Sequence, residues 1–563
     1  MFHQILDPVF GSLVLSAVAA VLPLATVFVL LGVFRVKAWK AALTGLALAL
    51  VLAIAVWQMP ALQALNAAAD GAVYGVIPIL WILVNALWIY RLTVITGWFE
   101  VLGERIRAIS DDQRILAIII AFCFGALLES LAGFGAPVAI SIAMLIAAGM
   151  KPLKAAIVSL IANTAPVAFG AIGAPIIALS GVTGIDVHTL AQMAGRQTPV
   201  LAAIVPLILV FLVDGRRGLR QTWPIALVAG VSFGLAQFVT SNFITVEITD
   251  VVASIVSVTA VLIMLRFWTP AGVVATDDDG AAGVPTVSRA IPTPSGRTAT
   301  AVVTVPEATR IDTATRSKAA LTWLALLPYV VIVALFSITQ IPAVSQFLAK
   351  SATLVFPWPG LTITDASGKA VSTVVKLPWA STGGTVLLVS GIIVAIVYRV
   401  SARRAVRAYG ATIHQLRFTI VTVVAVLALA YVMNFSGQTQ SLGHALAATG
   451  GFFALLSPVI GWLGVTITGS DTSSNALFGL LQATAAKQAD LSPVLMAATN
   501  SSAGVLGKML SPQNLAVAAA AASMTGKEGD LFRRLIWWSL GLLAVFTVFV
   551  FLQSTPILGW MVP

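Results

Sequence analysis

Two stretches far apart in the chain share one skeleton: Asn163-Thr-Ala-Pro-Val-Ala-Phe-Gly170-Ala-Ile-Gly-Ala-Pro175 and Asn500-Ser-Ser-Ala-Gly-Val-Leu-Gly507-Lys-Met-Leu-Ser-Pro512. In each stretch, Gly follows Asn by seven residues and Pro follows Gly by five. Both lie in long apolar segments, where Gly and Pro interrupt a helix and free backbone groups that need polar partners at membrane depth. A pair of interrupted hydrophobic segments at corresponding positions of two halves indicates the binding site of a secondary transporter.

The composition is that of an integral membrane protein. Of the 563 residues, 59% are hydrophobic and 9% are charged, whereas about a quarter of the residues in soluble domains are charged. The net charge of +11 does not indicate nucleic-acid binding, because the basic residues lie in short clusters between apolar spans, as the positive-inside rule predicts. With a single cysteine and four scattered histidines, the sequence predicts no disulfide, no metal site and no cofactor.

The hydropathy pattern predicts an all-α polytopic membrane protein with about 12 transmembrane helices, two of them broken at the substrate site. The continuous spans are predicted at 11–34, 38–59, 71–93, 197–213, 222–243, 248–267, 319–340, 382–398, 417–435 and 532–556. Residues 269–317, rich in Thr, Pro, Ala and Asp, are predicted to form a disordered cytoplasmic linker. This linker separates an N-terminal transmembrane half, 1–268, from a C-terminal one, 318–563.

Each half also contains a segment whose two ends are predicted to lie on one side of the membrane. Residues 113–150 have basic clusters on both flanks, which predicts a re-entrant hairpin from the cytoplasm, and charge alternation predicts a second hairpin from the outside at 437–490. The broken helices, 152–182 and 491–526, follow the hairpins, so the two halves are predicted to form an inverted repeat. The alternative is that each hairpin is a pair of complete spans with Gly-rich packing.

Charged residues inside apolar spans are costly and therefore mark functional sites by default. Three stand out: Glu129 in the first hairpin, Asp471 in the second hairpin, and Lys508 in the second broken segment. Small and polar residues surround them and complete the predicted substrate site: Ser130, Gly133, Gly135, Asn163, Thr164, Ser470, Thr472, Ser473, Ser474, Asn475, Asn500, Ser501 and Ser502. For any single Ser or Thr, the alternative is that it only satisfies broken backbone.

This set of residues predicts a binding site for a small anion. The N-terminus of a half-helix presents free N–H groups and the positive end of a dipole. Two such termini, near Asn163 and Asn500, are expected to face each other at mid-membrane and to bind one carboxylate.

The chain resembles the lactate permease family of bacterial proton-coupled symporters, and the likeness covers nearly the whole chain in order, apart from the linker. The matching motifs are LESLAGFGAPVAI (128–140), NTAPVAFGAIGAPI (163–176), VTGID (182–186), GRQTP (195–199), TGSDTSSNALF (468–478) and GKMLSPQNLAVA (507–518). The resemblance implies transport of L-lactate, D-lactate and glycolate, without enzyme activity. It also implies a multi-pass protein among the lipids of the bacterial cytoplasmic membrane, built on inverted repeats with re-entrant hairpins.

The resulting hypothesis is import of a 2-hydroxy monocarboxylate together with a proton, by alternating access. Lys508 is expected to bind the carboxylate, and a hydroxyl of Ser473, Ser474 or Thr164 is expected to bind the 2-hydroxyl. Glu129 is the expected proton carrier, because burial penalises its charged form. The rival carrier is Asp471, which would instead stay ionised if it paired with Lys508.

Three competing functions follow from the same sequence. Sodium coupling is the main alternative, since unwound carbonyls beside Asn163 and Asn500 could bind Na⁺. An anion channel fits less well because no repeated filter motif is present, and a membrane-embedded enzyme lacks a nucleophile, metal or redox motif. The sequence leaves the oligomeric state open, a homodimer included.

Overall fold

A computed structural model describes residues 1–132, 135–274, 317–377 and 379–563 of the protein. Of the described residues, 77% are helical, and the described strands are four short ones outside the helical bundle. The predicted all-α class is confirmed. Disorder is predicted for the linker 269–317, and residues 275–316 of it lie outside the described part of the chain.

The helices of the described chain are α1 (Leu13–Phe28), α2 (Ala38–Ala55), α3 (Ala61–Tyr74), α4 (Trp81–Ile95), α5 (Trp98–Arg107), α6 (Gln113–Leu116), α7 (Gly125–Ala132), α8 (Ala136–Ala147), α9 (Pro152–Ala162), α10 (Gly170–Thr183), α11 (Val187–Phe243), α12 (Thr249–Met264), α13 (Lys318–Thr339), α14 (Pro342–Ser351), α15 (Gly383–Val397), α16 (Ala402–Ser436), α17 (Gln438–Ala447), α18 (Phe453–Thr468), α19 (Asp471–Gln488), α20 (Pro493–Lys508), α21 (Pro512–Ala521) and α22 (Glu528–Gln553). Three π-helical segments extend or join them: Val29–Val33, Gly75–Leu80 and Ala117–Phe124.

The predicted continuous spans all coincide with helices or helical arms. Among the described residues, nine helices are long and apolar enough to cross a membrane, or ten if the bent pair α9–α10 is one span. Helix α11 supplies two spans, because its 57 residues would otherwise extend about 85 Å through a hydrocarbon core of about 30 Å. It turns at Gly215 (φ 59°). Its arms pack antiparallel, with Gly230 against Ala202 and Gly234 against Pro199.

Residues 113–150, the first predicted hairpin, form two helical arms with adjacent ends. Helix α6, the π segment Ala117–Phe124 and α7 form one arm, which is entirely buried and long enough to cross a membrane, and α8 forms the other. Gln113 Nε2 at the start donates a hydrogen bond to the backbone carbonyl of Gly149 at the end (3.0 Å). Both a re-entrant hairpin and a pair of complete spans have such adjacent ends, so the re-entrant hairpin stays a prediction.

The start of the linker is fixed to the base of this hairpin. The backbone N–H of Gln113 donates to the carbonyl of Val274 (3.0 Å). The buried guanidinium of Arg114 donates to the carbonyl of Gly272 (2.6 Å) and forms an ion pair with Asp112. The first linker residues are thus an ordered part of the N-terminal half.

The second hairpin is narrower than its predicted range of 437–490. Helices α18 and α19 form its two arms and turn at Gly469, which has a φ of +72° and is followed by the N-cap Ser470. Helix α17 precedes the hairpin and packs against α19 and α1. The order of a hairpin followed by a broken helix occurs in both halves.

The first of the two matching stretches unwinds over many residues. Helix α9 ends at the C-cap Asn163, and a 3₁₀ turn follows before α10. The two helices differ in direction by 64°. Pro166 explains the end of α9, because its ring clashes with the carbonyl four residues earlier and its nitrogen has no hydrogen. Ala171, Ile172 and Gly173 then adopt left-handed backbone angles before the regular helix begins.

The second stretch contradicts the expected break near Asn500. Ala503 occupies the position that corresponds to Pro166, so α20 continues through Asn500 and Gly507 and ends after Lys508. Only three residues separate α20 from α21, and Ser511 caps α21 through the backbone N–H of Asn514. In both stretches a new helix starts with Pro in its first turn, Pro175 in α10 and Pro512 in α21. The stretches differ in the length of the break before that helix.

Short strands connect the first residues to the C-terminal half. Strand β1 (Phe2–His3) pairs in parallel with β3 (Ile363–Thr364), and β2 (Leu354–Pro357) pairs antiparallel with β4 (Val374–Leu377). The side chain of Gln4 donates to the backbone carbonyls of Asn434 and Phe435. The N-terminus is thereby held against α16.

We expect cysteines placed at both ends of the first hairpin to react from the cytoplasmic side. Asp111 and Lys151 flank the hairpin and are exposed, and the basic clusters around it predict a cytoplasmic location. Asp111→Cys and Lys151→Cys, each in a Cys123→Ala background, are labelled with an impermeant maleimide from either side. Ser367→Cys, in the exposed loop between β3 and β4, is the control for the outer face. Labelling of the two flanks from opposite faces would mean an odd number of crossings between them and would contradict the re-entrant hairpin.

Candidate functional site

Both hairpins reach the break between α20 and α21. A Cβ atom on Gly135, at the start of α8, would lie 3.4 Å from Asn514 Oδ1, and a Cβ on Gly469 would lie 3.1 Å from Gln513 Oε1. Asn514 Nδ2 in turn donates to the carbonyl of Lys508 (3.0 Å). The close approaches explain why glycine stands at both turns, where φ is also positive. The start of α21 therefore lies between the two hairpin turns.

A buried ion pair joins the N-terminal and C-terminal halves at this point. Lys508 Nζ lies 2.5 Å from Glu129 Oε1, and Asn163 Nδ2 donates to Glu129 Oε2 (2.9 Å). Glu129 is 2% exposed and Lys508 is 6% exposed. A Cβ on Gly170 would lie only 3.1 Å from Glu129 Oε1, so the first glycine of the shared skeleton makes room for this carboxyl group. Lys508 is thus bonded to Glu129 and not to Asp471, the partner considered from the sequence.

Asp471 lies nearby in a different hydrogen-bonding environment. It occupies the first turn of α19, where a negative charge is favoured by the helix dipole. Ser501 Oγ donates to Asp471 Oδ2 (2.5 Å), while Oδ1 has no hydrogen-bond partner among the described residues. Asp471 is also close enough to Lys508 for electrostatic attraction. A Cβ on Gly504 would lie 2.8 Å from Oδ1, so a larger residue there would displace the carboxyl group.

A chain of buried amides connects three helices of the site. Gln482 Nε2 donates to Asn500 Oδ1 (3.1 Å), and Asn500 Nδ2 donates to Asn475 Oδ1 (2.8 Å). Asn475 Nδ2 completes the chain by donating to the carbonyl of Pro175 on α10 (3.0 Å). Gln482 is fully buried and is not among the residues expected from the sequence. The sequence signal for Gln482 is its amide side chain within the apolar run that follows Asn475.

Several predicted site residues have structural hydrogen bonds of their own. Ser130 and Thr164 donate to the carbonyls of Leu127 and Ile161, respectively, both at 2.7 Å. These two hydroxyls fit the alternative in which a polar residue satisfies the local backbone.

The hydroxyls of the second half differ in how they are bonded. Ser470 accepts the backbone N–H of Ser473 as the N-cap of α19, and Ser474 Oγ accepts from Asn500 Nδ2 (3.4 Å). Ser502 Oγ is buried without a hydrogen-bond partner among the described residues, and Thr472 is half-buried. Gly133 lies outside the described residues.

The expected pair of helix N-termini near Asn163 and Asn500 is wrong. Asn163 ends α9, and its backbone N–H donates to the carbonyl of Ser159 (3.1 Å). Asn500 lies inside α20, where backbone groups bond within the helix. The helix N-termini that do reach the site belong to α8, α19 and α21, and side chains cap the last two. The Lys508 ammonium is therefore the main positive charge of the site.

The arrangement as a whole is suited to binding a small anion. One ammonium and two carboxyl groups lie where two hairpins and two broken helices meet, and amides hold the surrounding helices together. Among the described residues of this cluster, Lys508 is the cation that a small anion could meet, and it is already paired with Glu129. Within the described residues, no cluster of His, Cys, Asp and Glu could hold a metal ion.

The family model for L-lactate permease matches residues 16–557. The L-lactate permease of Bacillus subtilis (strain 168) is 40% identical, with 100% of this chain and 99% of that protein aligned. Glycolate permease GlcA of Escherichia coli (strain K12) is also 40% identical, with 98% of each chain aligned. The L-lactate permease of Escherichia coli (strain K12) is 39% identical over 100% of both chains.

These alignments extend over both halves of the chain. The relatives are permeases and not enzymes. Together with the apolar helices, they identify a multi-pass protein of the bacterial cytoplasmic membrane. The chain belongs to the L-lactate permease family.

Proposed function

We propose that this protein imports L-lactate and related 2-hydroxy monocarboxylates, D-lactate and glycolate, together with protons by alternating access. The names of the relatives support the substrate class. The buried Glu129–Lys508 ion pair is the observation that carries the coupling mechanism. It joins the first hairpin to the second broken helix, so anything that separates its partners also loosens the contact between the two halves.

Charge balance in the buried site supports coupling to a proton. The site contains two carboxyl groups, Glu129 and Asp471, and one ammonium, Lys508, all less than 10% exposed. A net charge in such surroundings is costly, so the site favours the state that is neutral overall. Without substrate, that state has Glu129 ionised beside Lys508 and a proton on Asp471.

Lactate binding changes this balance by one negative charge. The lactate carboxylate competes with Glu129 for the Lys508 ammonium. Glu129 then loses its cation in a buried environment, and binding of one proton to its carboxylate restores neutrality. Each lactate anion is therefore accompanied by one proton, and the complete transport step moves no net charge.

Recognition of the 2-hydroxyl is assigned to the first turn of α19. Ser473 lies two residues from Asp471 and is 6% exposed. Thr164 is a poorer candidate because it already donates to the carbonyl of Ile161. The repeated order of hairpin and broken helix in both halves suits alternating access, because each half then supplies one gate and part of the site.

Uptake in proteoliposomes with independently imposed gradients tests this function. We expect an inward pH gradient to drive accumulation of labelled lactate, and a sodium gradient to have no effect. Because transport is electroneutral, a potassium diffusion potential should not change accumulation, and unlabelled glycolate and D-lactate should compete. Accumulation driven by sodium at equal pH would instead support the alternative coupling ion. Sodium coupling is weakened at one of its two expected positions, because the backbone carbonyls around Asn500 lie inside α20 and bond within the helix.

A further inference from the structure

Asp250 is a third buried carboxyl group beside the site. It lies in the first turn of α12 and is 0% exposed. Its Oδ1 accepts a hydrogen bond from Gln237 Nε2 (2.9 Å), and Gln237 Oε1 accepts from the hydroxyl of Thr198 (2.7 Å). Its Oδ2 has no hydrogen-bond partner among the described residues. Gln237 thus holds Oδ1 in place, whereas Oδ2 is available to exchange a proton.

The broken segment of α10 places Asp250 near the proposed proton carrier. Gly170 lies against the carboxyl group of Glu129, and three residues later Gly173 lies against Val246, just before α12. Helix α12 also packs directly against α7, which carries Glu129. The described residues show no hydrogen bond between the two carboxyl groups, so a proton that passes between them needs an intervening water molecule. Asp250 therefore lies on a helix that packs directly against the helix of Glu129.

The elements packed against α12 contribute few other titratable groups. Helix α7 carries Glu129, and α11 contributes the neutral Gln237. The π segment brings Cys123, which lies 3.3 Å from Ser257, and α10 has no titratable residue. Helix α13 brings Tyr329, which interacts with Tyr90 on α4. An ionised Asp250 would thus be a buried charge facing another carboxylate, so the protonated form is favoured.

A partly exposed carboxyl group lies between Asp250 and the outer loop. Glu247 precedes α12 by two residues, is half-buried, and accepts a hydrogen bond from the hydroxyl of Thr245. A Cβ on Gly383 would lie 3.5 Å from Glu247 Cγ, which places Glu247 at the start of α15. The basic clusters of the chain assign this end of α12 and α15 to the outer side. Three carboxyl groups, Glu247, Asp250 and Glu129, therefore lead from the outer surface to the site.

We propose that Asp250 is a proton-relay residue that protonates Glu129 from the outer side, an inference that rests on the proton coupling proposed above. When lactate takes Lys508 from Glu129, the O–H bond of Asp250 breaks, a water molecule between the two carboxyl groups passes the proton on, and an O–H bond forms on the Glu129 carboxylate. Asp250 then regains a proton from the outer side, near Glu247. Gln237 is a positioning residue that fixes Oδ1 and leaves Oδ2 to exchange the proton.

The substitution Asp250→Asn tests the relay separately from substrate binding. We expect the initial rate of lactate uptake driven by a pH gradient to fall about 10-fold or more, because a positioned proton donor contributes at least that much. Equilibrium binding of labelled lactate at fixed pH should keep the wild-type affinity, because the route by which a proton reaches Glu129 does not change the binding equilibrium. Asp250→Glu should restore pH-driven uptake. Asp70→Asn, at another buried carboxyl on α3, should change neither quantity.

Each alternative outcome has a distinct meaning. If Asp250→Asn keeps the wild-type rate of pH-driven uptake, the relay is contradicted while the proposed function stands. If Asp250→Asn loses equilibrium lactate binding as well, Asp250 has a structural role and the relay is again contradicted. If the unsubstituted protein shows no pH-driven uptake, the proposed proton coupling itself is wrong.

Discussion

Lys508→Ala is expected to abolish high-affinity lactate binding. The substitution removes the cation that would hold the substrate carboxylate and leaves Glu129 as a buried, unpaired carboxyl group. Breaking a buried charge pair costs about 3–5 kcal/mol, so we expect the dissociation constant to rise roughly 10²- to 10⁴-fold. Equilibrium binding of labelled lactate to the purified protein in detergent measures this change. An unchanged affinity would exclude Lys508 from the substrate site.

Matched variants separate loss of binding from loss of folding. The double variant Glu129→Gln/Lys508→Ala contains no unpaired charge at this position, so it should fold stably and still fail to bind lactate. Lys508→Arg is expected to bind weakly, because the planar guanidinium differs in shape from an ammonium, and Asn514 holds the adjacent carbonyl in place. Lys487→Ala, at an exposed lysine in the last turn of α19, should bind like the unsubstituted protein.

Glu129→Gln is expected to uncouple lactate movement from the proton. The neutral amide imitates protonated Glu129, so Lys508 is always free for the substrate and the loaded site can still move. We therefore expect lactate/lactate exchange to continue while uphill accumulation driven by a pH gradient disappears. Lactate affinity should also lose its dependence on pH, because no carboxylate of Glu129 competes for Lys508. Both quantities are measurable in the same proteoliposomes.

Results for Asp471, the rival proton carrier, would contradict the assignment of Glu129 in one case. If Glu129→Gln still accumulates lactate, and Asp471→Asn exchanges lactate without accumulating it, then Asp471 carries the proton. The structure gives Asp471 one hydrogen bond, from Ser501, and no direct bond to Lys508. Asp471→Asn consequently leaves the Lys508 pair intact, and its effect reports on Asp471 alone. If both variants remain fully coupled, the proton follows another route or enters with lactic acid.

The fold was largely predictable because apolar length and basic clusters determine it. Each predicted span has a helix, and the first hairpin has the adjacent ends that its flanking charges require. The second matching stretch was less predictable, because an identical spacing of Asn, Gly and Pro hides the difference between Pro166 and Ala503. Only Pro166 stops a helix, so Asn163 ends α9 while Asn500 lies inside α20.

The site was predictable in its residue types but not in its pairs. Because a charge inside an apolar span is costly, the sequence already marks Glu129 and Lys508 as unusual. Their contact joins positions 379 residues apart, and no local pattern encodes such a distance. Asp250 escapes notice because it stands at the end of a span, where a charge normally reaches water. Its complete burial depends on how α11 and α7 pack around α12.

The pairing of β1 with β3 has a consequence for biogenesis. His3 and Thr364 are 361 residues apart, and ribosomes add about 5–20 residues per second, so the first residues wait roughly 20–70 s for their partner strand. During that time, the N-terminal segment has an unpaired edge that chaperones or fusion tags can occupy. A bulky N-terminal tag would therefore interfere with the closure of this sheet against α16, and should lower the yield of assembled protein more than a C-terminal tag.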